Sequence, residues 1–404
     1  IAARFGDSPE IKLQPGQWSG YIPITFKPAW GTSIPAMVRA FLVAMDPHLR
    51  LYVSTPEVDP MDPYFPVTHP DSYAKELAGA IGRYPTLGMP EDVNAVKDGS
   101  LPPEAFEQAM LQLFETRKKQ LEHELGRFTN GLLAFVFDDS DRIQHMFWSA
   151  RDPDHPAYDP AFAAKFGHVI PDLYQRLDSL LGEVLAKADD RTTVLVMSDH
   201  GFSSYHTAVG LNSWLVENGY MTLRTADGRD GRELFADVDW SATRVYSAGF
   251  TGIYINLRGR ERDGIVRAGE ECNRLCDELA AKLRSLKDPV TGKAAIRQVY
   301  RKEAVYRGDQ AKDGPDLVIG FDAGFRAEDR NVIGGAPRPV FSANRSLWSG
   351  DHLMDPSVVP GIFASNRKIR TEEPRYLDVA PTILHCLGIK KPAEMEGEAL
   401  ITQP

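Results

Sequence analysis

The sequence predicts an α/β protein: a mainly parallel sheet with helices on both faces, plus a small β-rich unit at the amino end and an α+β insertion. Three observations carry this. Residues 131–137 and 192–197 are short apolar runs of the kind a strand buried on both faces requires. Segments of helical periodicity precede the first run and link it to the second. Each run ends directly in carboxylates and imidazoles, where a parallel sheet presents its ligands.

The elements follow in order. Tyr21 to Phe26 alternates, part of Met37 to Met45 does so too, and residues 49–53 follow a proline-containing turn, so residues 1–60 read as β-rich. Residues 56–100 are crowded with Pro, Asp and Gly and read as irregular surface structure. From Pro103 to about Arg127, Phe106, Met110, Leu113, Phe114 and Leu121 fall at helical spacing. A second helix is expected from Ala161 to Ala188, with Leu173, Leu177, Leu180, Leu181 and Leu185 as its apolar stripe. Residues 205–345 are less regular. They contain expected helices at 211–218 and 266–286 and strands at 252–257, 296–300 and 317–321. A strand at 361–364 and a closing helix at 376–387 complete the chain. The expected division is a β-rich unit over 1–100, a core over 101–204, a cap over 205–345 and a return to the core over 346–404.

The chain has 404 residues, which suits two or three units. It is 43% hydrophobic and 25% charged, as in an ordinary globular protein. Its net charge is −10, which argues against nucleic-acid binding, since that needs a basic footprint. Phosphate substrates stay open, because bound metals supply local positive charge. Cys272, Cys276 and Cys386 show no zinc-finger spacing, and the first two, four apart on one helix face, read as buried or idle thiols. No run is apolar enough to span a bilayer. The sequence opens at Ile1 in mid-course, and residue 1 is expected not to be the start of the gene product.

Three segments carry chemistry. Asp141 and His145 are four apart, which sets both on one face of a helix. Asp199-His200-Gly201 closes the second apolar run; two adjacent polar residues there exit to the crevice beyond the strand, and Gly201 permits close backbone approach. His352 lies in a Gly/Ser/Asp-rich loop within Gly350-Asp351-His352. Carboxylates and imidazoles in this pattern suit two closely spaced divalent metals, and such a site points to phosphate ester hydrolysis. The plainer readings are helix caps, a satisfied core histidine and a surface histidine. His155 and His206 flank these segments as candidates for substrate contact or as surface and supporting histidines. Asp138 and Asp139 read as caps or as partners of the ligand imidazoles. Phe147, Trp148, Phe202 and Tyr205 line a leaving-group pocket or simply pack.

Taken together, D-R-I-Q-H at 141–145, S-D-H-G-F at 198–202, G-D-H at 350–352 and the closing L-D-V-A-P-T-I-L-H-C-L-G-I at 377–389 resemble the alkaline phosphatase superfamily, in its type I phosphodiesterase/nucleotide pyrophosphatase branch. The resemblance covers about residues 104–404. It implies an alkaline-phosphatase-like fold and two divalent metal ions, zinc first, with manganese or iron as alternatives. Asp141, His145 and His352 would hold one ion, and Asp199 and His200 the other. The family's Thr or Ser nucleophile and an early Asp have no counterpart: Thr25, Thr32, Ser33 and Thr55 stand in the wrong setting. The chain thus looks like the C-terminal part of a larger enzyme, inactive alone, whose missing segment belongs to the same gene product. The implied substrate is a small phosphate ester or nucleotide. Phosphomonoesterase, sulfatase, phosphonate hydrolase and cofactor-independent phosphoglycerate mutase activities are the related alternatives. A non-catalytic binding protein with a relic metal site is the alternative of another class. The sequence leaves the compartment open; the resemblance alone favours an exported or periplasmic location.

Overall fold

Several small sheets and interleaved helices make the protein mixed α/β. The structure, a computed structural model, describes residues 1–6, 8–27, 31–87, 91–224 and 230–402. The chain divides into two units. One comprises Ile1–Met146, His168–Thr193 and Arg370–Pro404; the other comprises Phe147–Gly167 and Val194–Ile369.

The first unit opens with the expected β-rich segment, built of antiparallel pairs. Ala2–Ala3 pairs with Ile11–Lys12, Ile22–Phe26 with Ile34–Val38, and Ala40–Ala44 with Arg50–Val53. Leu13, Ile22, Val38, Ala40 and Leu42 form its core. Helix Pro103–Arg127 keeps its predicted bounds. Proline at its first position has φ already set for a helix and has no N–H to leave unpaired. The helix buries Phe106, Met110, Leu113, Phe114 and Leu121, the stripe read from the sequence. The expected helix over 161–188 is two helices, Pro160–Phe166 in the second unit and Val169–Leu185 in the first. The break falls at Gly167-His168. Glycine is a poor helix former, and a Cβ at Gly167 would sit 2.7 Å from Ala163 O. The closing helix is a 3₁₀ turn, Tyr376–Asp378, continued by Val379–Cys386; Asp378 ties its start by accepting from Arg375 N at 2.9 Å.

Residues 131–137, expected as a buried strand, join no ladder among the described residues. Leu133, Phe135 and Phe137 are half-buried, with the Phe137 ring 5.7 Å from that of Phe114. Leu132 and Val136, on the alternate positions, are 57% and 70% exposed. A strand needs a paired neighbour as well as apolar faces, and here only one face is covered.

In the second unit, an antiparallel sheet runs in the order Ile296–Arg301, Leu317–Phe321, Gly252–Ile255, Val245–Ala248. Ile253, Ile255, Leu317 and Phe321 of this sheet share a core with Leu279 and Leu283 of helix Glu270–Arg284. Strand Ser203–Val209 is the hub of a second sheet. It pairs in parallel with Gly324–Ala327 and antiparallel with Phe341–Ala343 and Gly350–Asp351. The second apolar run yields the shorter strand Leu195–Met197, antiparallel to Phe363–Ser365. Ladders therefore fix both ends of segment 198–202, and the register Ser203↔Asp351 brings residue 352 alongside it. Among the described residues, no helix is long and apolar enough to cross a membrane.

Candidate metal centre

In the first unit, helix Asp139–Phe147 carries Asp141 and His145 on one face, as their spacing predicts. Asp141 Oδ1 lies 3.4 Å from His145 Nε2. Arg142 holds the carboxylate from the other side: its Nη1 donates to Asp141 Oδ2 at 2.7 Å, and its Nε donates to Glu91 Oε1 at 2.9 Å. His145 is buried. The carbonyl of Asp138 accepts the N–H of Asp141 at 3.2 Å, while its side chain pairs with Arg117 at 2.8 Å. Asp139 is wholly buried, and neither carboxylate oxygen has a hydrogen-bond partner among the described residues. Burial pushes its carboxyl up to about 7, with the charge of Arg117 opposing and that of Asp138 adding.

The second unit holds the other three predicted ligands. The rings of His200 and His352 stack at 3.6 Å with 13° between their planes. Phe202 closes the group, 5.3 Å from His352 and 5.8 Å from His200. His200 Nδ1 is 3.0 Å from Gly201 O. A carbonyl only accepts, so Nδ1 carries a proton, and in the neutral ring Nε2 presents a lone pair. That Nε2 is 3.3 Å from Asp199 Oδ2. Two acceptors thus face each other, an arrangement that a bridging cation satisfies. The donor set of imidazole nitrogen and carboxylate oxygen fits a zinc-class ion.

The backbone that presents these groups is tightly constrained. A Cβ at Gly201 would sit 2.5 Å from Pro360 O, and Gly201 N donates to Val359 O at 2.8 Å. Asp351, fully buried, orders the turn that holds His352. Its Oδ1 accepts from His352 N at 2.8 Å and Leu353 N at 2.9 Å. Its Oδ2 accepts from Trp348 Nε1 at 2.9 Å and lies 2.8 Å from Arg326 Nε. The sequence named Asp351 only as a neighbour of His352, and nothing in the spacing pointed to Arg326, which reaches it from another strand of the sheet.

The flanking residues separate by role. His155 is buried and saturated: Nδ1 accepts from Ala157 N at 3.0 Å, and Nε2 donates to Tyr205 O at 2.8 Å. Burial holds its ring below the ordinary histidine range. His206 Nε2 is 2.6 Å from Asp152 Oδ2, which also accepts the Ser204 hydroxyl. Trp148 stacks on Phe202 at 6.1 Å, while Phe147 packs among Phe162 and Phe166. Tyr205 is buried with Ala208, Met354 and Val359.

Comparison with known proteins agrees with the motifs. The family model described as type I phosphodiesterase / nucleotide pyrophosphatase matches residues 12–337, and the chain belongs to that family. Phosphoester hydrolysis is the chemistry the family suggests, generally with divalent metals. The match begins well before residue 104 and ends before His352. The chain is also similar to a 2,3-bisphosphoglycerate-independent phosphoglycerate mutase of Ehrlichia canis (strain Jake), 40% identical over 70 residues. That stretch is 17% of this chain and 14% of the relative, so the chain matches only a small part of the relative's length.

Proposed function

We propose that the chain carries the metal centre of a phosphodiester or pyrophosphate hydrolase with two divalent cations, zinc first. The motif order supports assigning Asp141, His145 and His352 to one cation and Asp199 and His200 to the other. The observation that carries the reading lies in the second unit. His200 Nε2 faces Asp199 Oδ2 with its proton committed elsewhere, while the His352 ring lies flat against His200. An alkaline-phosphatase-like core and a cap over 205–345 belong to the same reading, supported by the family membership.

Each residue has a task of its own. Gly201 O fixes the tautomer and tilt of His200. Asp351 fixes the turn that carries His352. Arg142 holds Asp141 in place. Trp148 and Phe202 form an apolar wall beside the histidines, which favours an ester with a flat or ring-shaped group. Bound cations would lower the pKa of an attacking hydroxyl and offset charge on the phosphoryl oxygens.

A panel of nitrophenyl phosphate mono- and diesters, run on the full gene product with zinc or manganese, tests this. Diester turnover above monoester turnover is expected. Metal-loaded protein that turns over neither sinks the reading. The stretch shared with the phosphoglycerate mutase favours one second reading, phosphoryl transfer between hydroxyls of a phosphoglycerate; interconversion of the 2- and 3-phosphates would reveal it.

A further inference from the structure

We propose that the cleft between the β-rich segment and helix Pro103–Arg127 binds a small organic monocarboxylate on the guanidinium of Arg39. Strand register builds the site. Ile22↔Val38 is the end pair of its ladder, so Tyr21 and Arg39 stand opposite one another just beyond it. Backbone bonds hold Arg39 there: its N–H donates to Ser54 Oγ at 2.9 Å, and its carbonyl accepts from Ser54 N at 2.8 Å. The guanidinium carbon lies 4.6 Å from the centre of the Trp18 ring and 5.4 Å from that of Tyr21. Trp18 is pinned in turn, since its Nε1 donates to Ala105 O of the helix at 2.8 Å. Gln112, Leu113 and Thr116 form the helix side. The cleft has a volume of about 290 Å³, and the exposed Gly20 and Gln112 among its lining open it to solvent.

Arg39 is only 8% exposed, and a buried charge calls for a counter-charge. Its side-chain partners are neutral. Gln112 Oε1 accepts from Nη2, and the Tyr21 hydroxyl is the other partner. Burial, with the charges of Glu57 and Glu91 adding and that of Arg39 opposing, holds the Tyr21 hydroxyl above its ordinary range, so it supplies no phenolate. Glu57 acts on Arg39 only through space. Its Oε2 accepts from Thr86 N at 2.8 Å, and burial pushes its carboxyl up, toward the neutral acid. Among the described residues no carboxylate forms an ion pair with Arg39. A ligand carboxylate matches the planar fork of a guanidinium. Glu91 also acts on Tyr21, so a second negative charge meets repulsion, and a phosphate dianion fits less well than a monoanion. Leu113 and the Trp18 indole give an apolar wall. The volume, at the low end for ligand pockets, suits an acid the size of benzoate.

The test is calorimetric titration of the chelator-treated 404-residue chain with benzoate, with its neutral counterpart benzamide, and with inorganic phosphate. Metal-free protein keeps the outcome separate from the hydrolase reading. Benzoate should bind roughly ten- to a hundredfold more tightly than benzamide, the worth of a charge-assisted hydrogen bond, and more tightly than phosphate. Arg39→Met should bring benzoate down to the level of benzamide. Thr116→Trp leaves Arg39 in place and fills the cleft from the helix side. It should abolish binding of both ligands, and it decides the matter if Arg39→Met does not fold. Equal binding of benzoate and benzamide by wild type, no binding of benzoate, tighter binding of phosphate, or an unchanged benzoate affinity in Thr116→Trp overturns the proposal.

Discussion

Arg326 Nε lies 2.8 Å from Asp351 Oδ2, and both side chains are almost completely shielded from solvent. The guanidinium also lies over the Tyr205 ring at 5.1 Å and the Phe250 ring at 4.9 Å. Three further donors converge on the same carboxylate. Removing Arg326 leaves the Asp351 charge buried without its ion-pair partner, which costs about 3–5 kcal/mol, whereas Arg326 keeps a second partner in Asp329 at 2.7 Å. Arg326→Met should lower stability by that order in urea titration, and Asp351→Asn by less, because asparagine retains one acceptor oxygen. Wild-type stability in Arg326→Met would show that the pair is solvated in solution.

Metal content tests the ligand assignment. His352→Ala and His145→Ala should each lose about one equivalent of zinc or manganese after dialysis, and Asp199→Ala should weaken the other site. Elemental analysis of refolded, dialysed protein gives the counts. Unchanged content in all three variants would remove these residues from the ligand set.

Gly201 allows no side chain. The Cβ of Gly201→Ala would meet the Pro360 carbonyl at 2.5 Å, and both partners are backbone. Relief requires the segment 198–202 to shift, costing about 1–3 kcal/mol. Thermal unfolding should show that loss, together with weaker metal binding through a displaced His200. A fully stable variant with native metal affinity would contradict the close approach.

Asp139 should make stability depend on pH in the metal-free protein. Its carboxyl is raised from 3.8 to about 7, chiefly by burial. The fold therefore favours the neutral acid. The associated stability is whole below about pH 4 and is lost as pH rises through 7. Asp139→Asn should match wild type at pH 4 and exceed it by about 1–3 kcal/mol at pH 8. Melting curves in chelator across that range read the gap directly. A gap of constant size at every pH would mean that Asp139 titrates normally.

Much of this was legible in the sequence, for identifiable reasons. Helix Pro103–Arg127 was read to its ends because proline marks its start and five apolar residues repeat on one face. Motif order put His200 and His352 in one expected site, but strand Ser203–Val209, whose ladder with Gly350–Asp351 brings the two segments together, was not read from the sequence. The split at Gly167 was less legible, since the leucine stripe continues beyond it. The apolar run 131–137 misled more fully. Composition reports that a segment can be buried on both faces, but pairing depends on neighbours that periodicity does not name. Arg326 and Asp152 gave no signal, because their partners lie 25 and 54 residues away.

Leu132 and Val136 have a practical consequence for anyone preparing this chain. Apolar side chains on a segment that pairs with no strand among the described residues form a ready template for strand exchange between molecules. Concentrated, salted solutions, in which the net charge of −10 is screened, should therefore be the conditions in which the protein turns cloudy first.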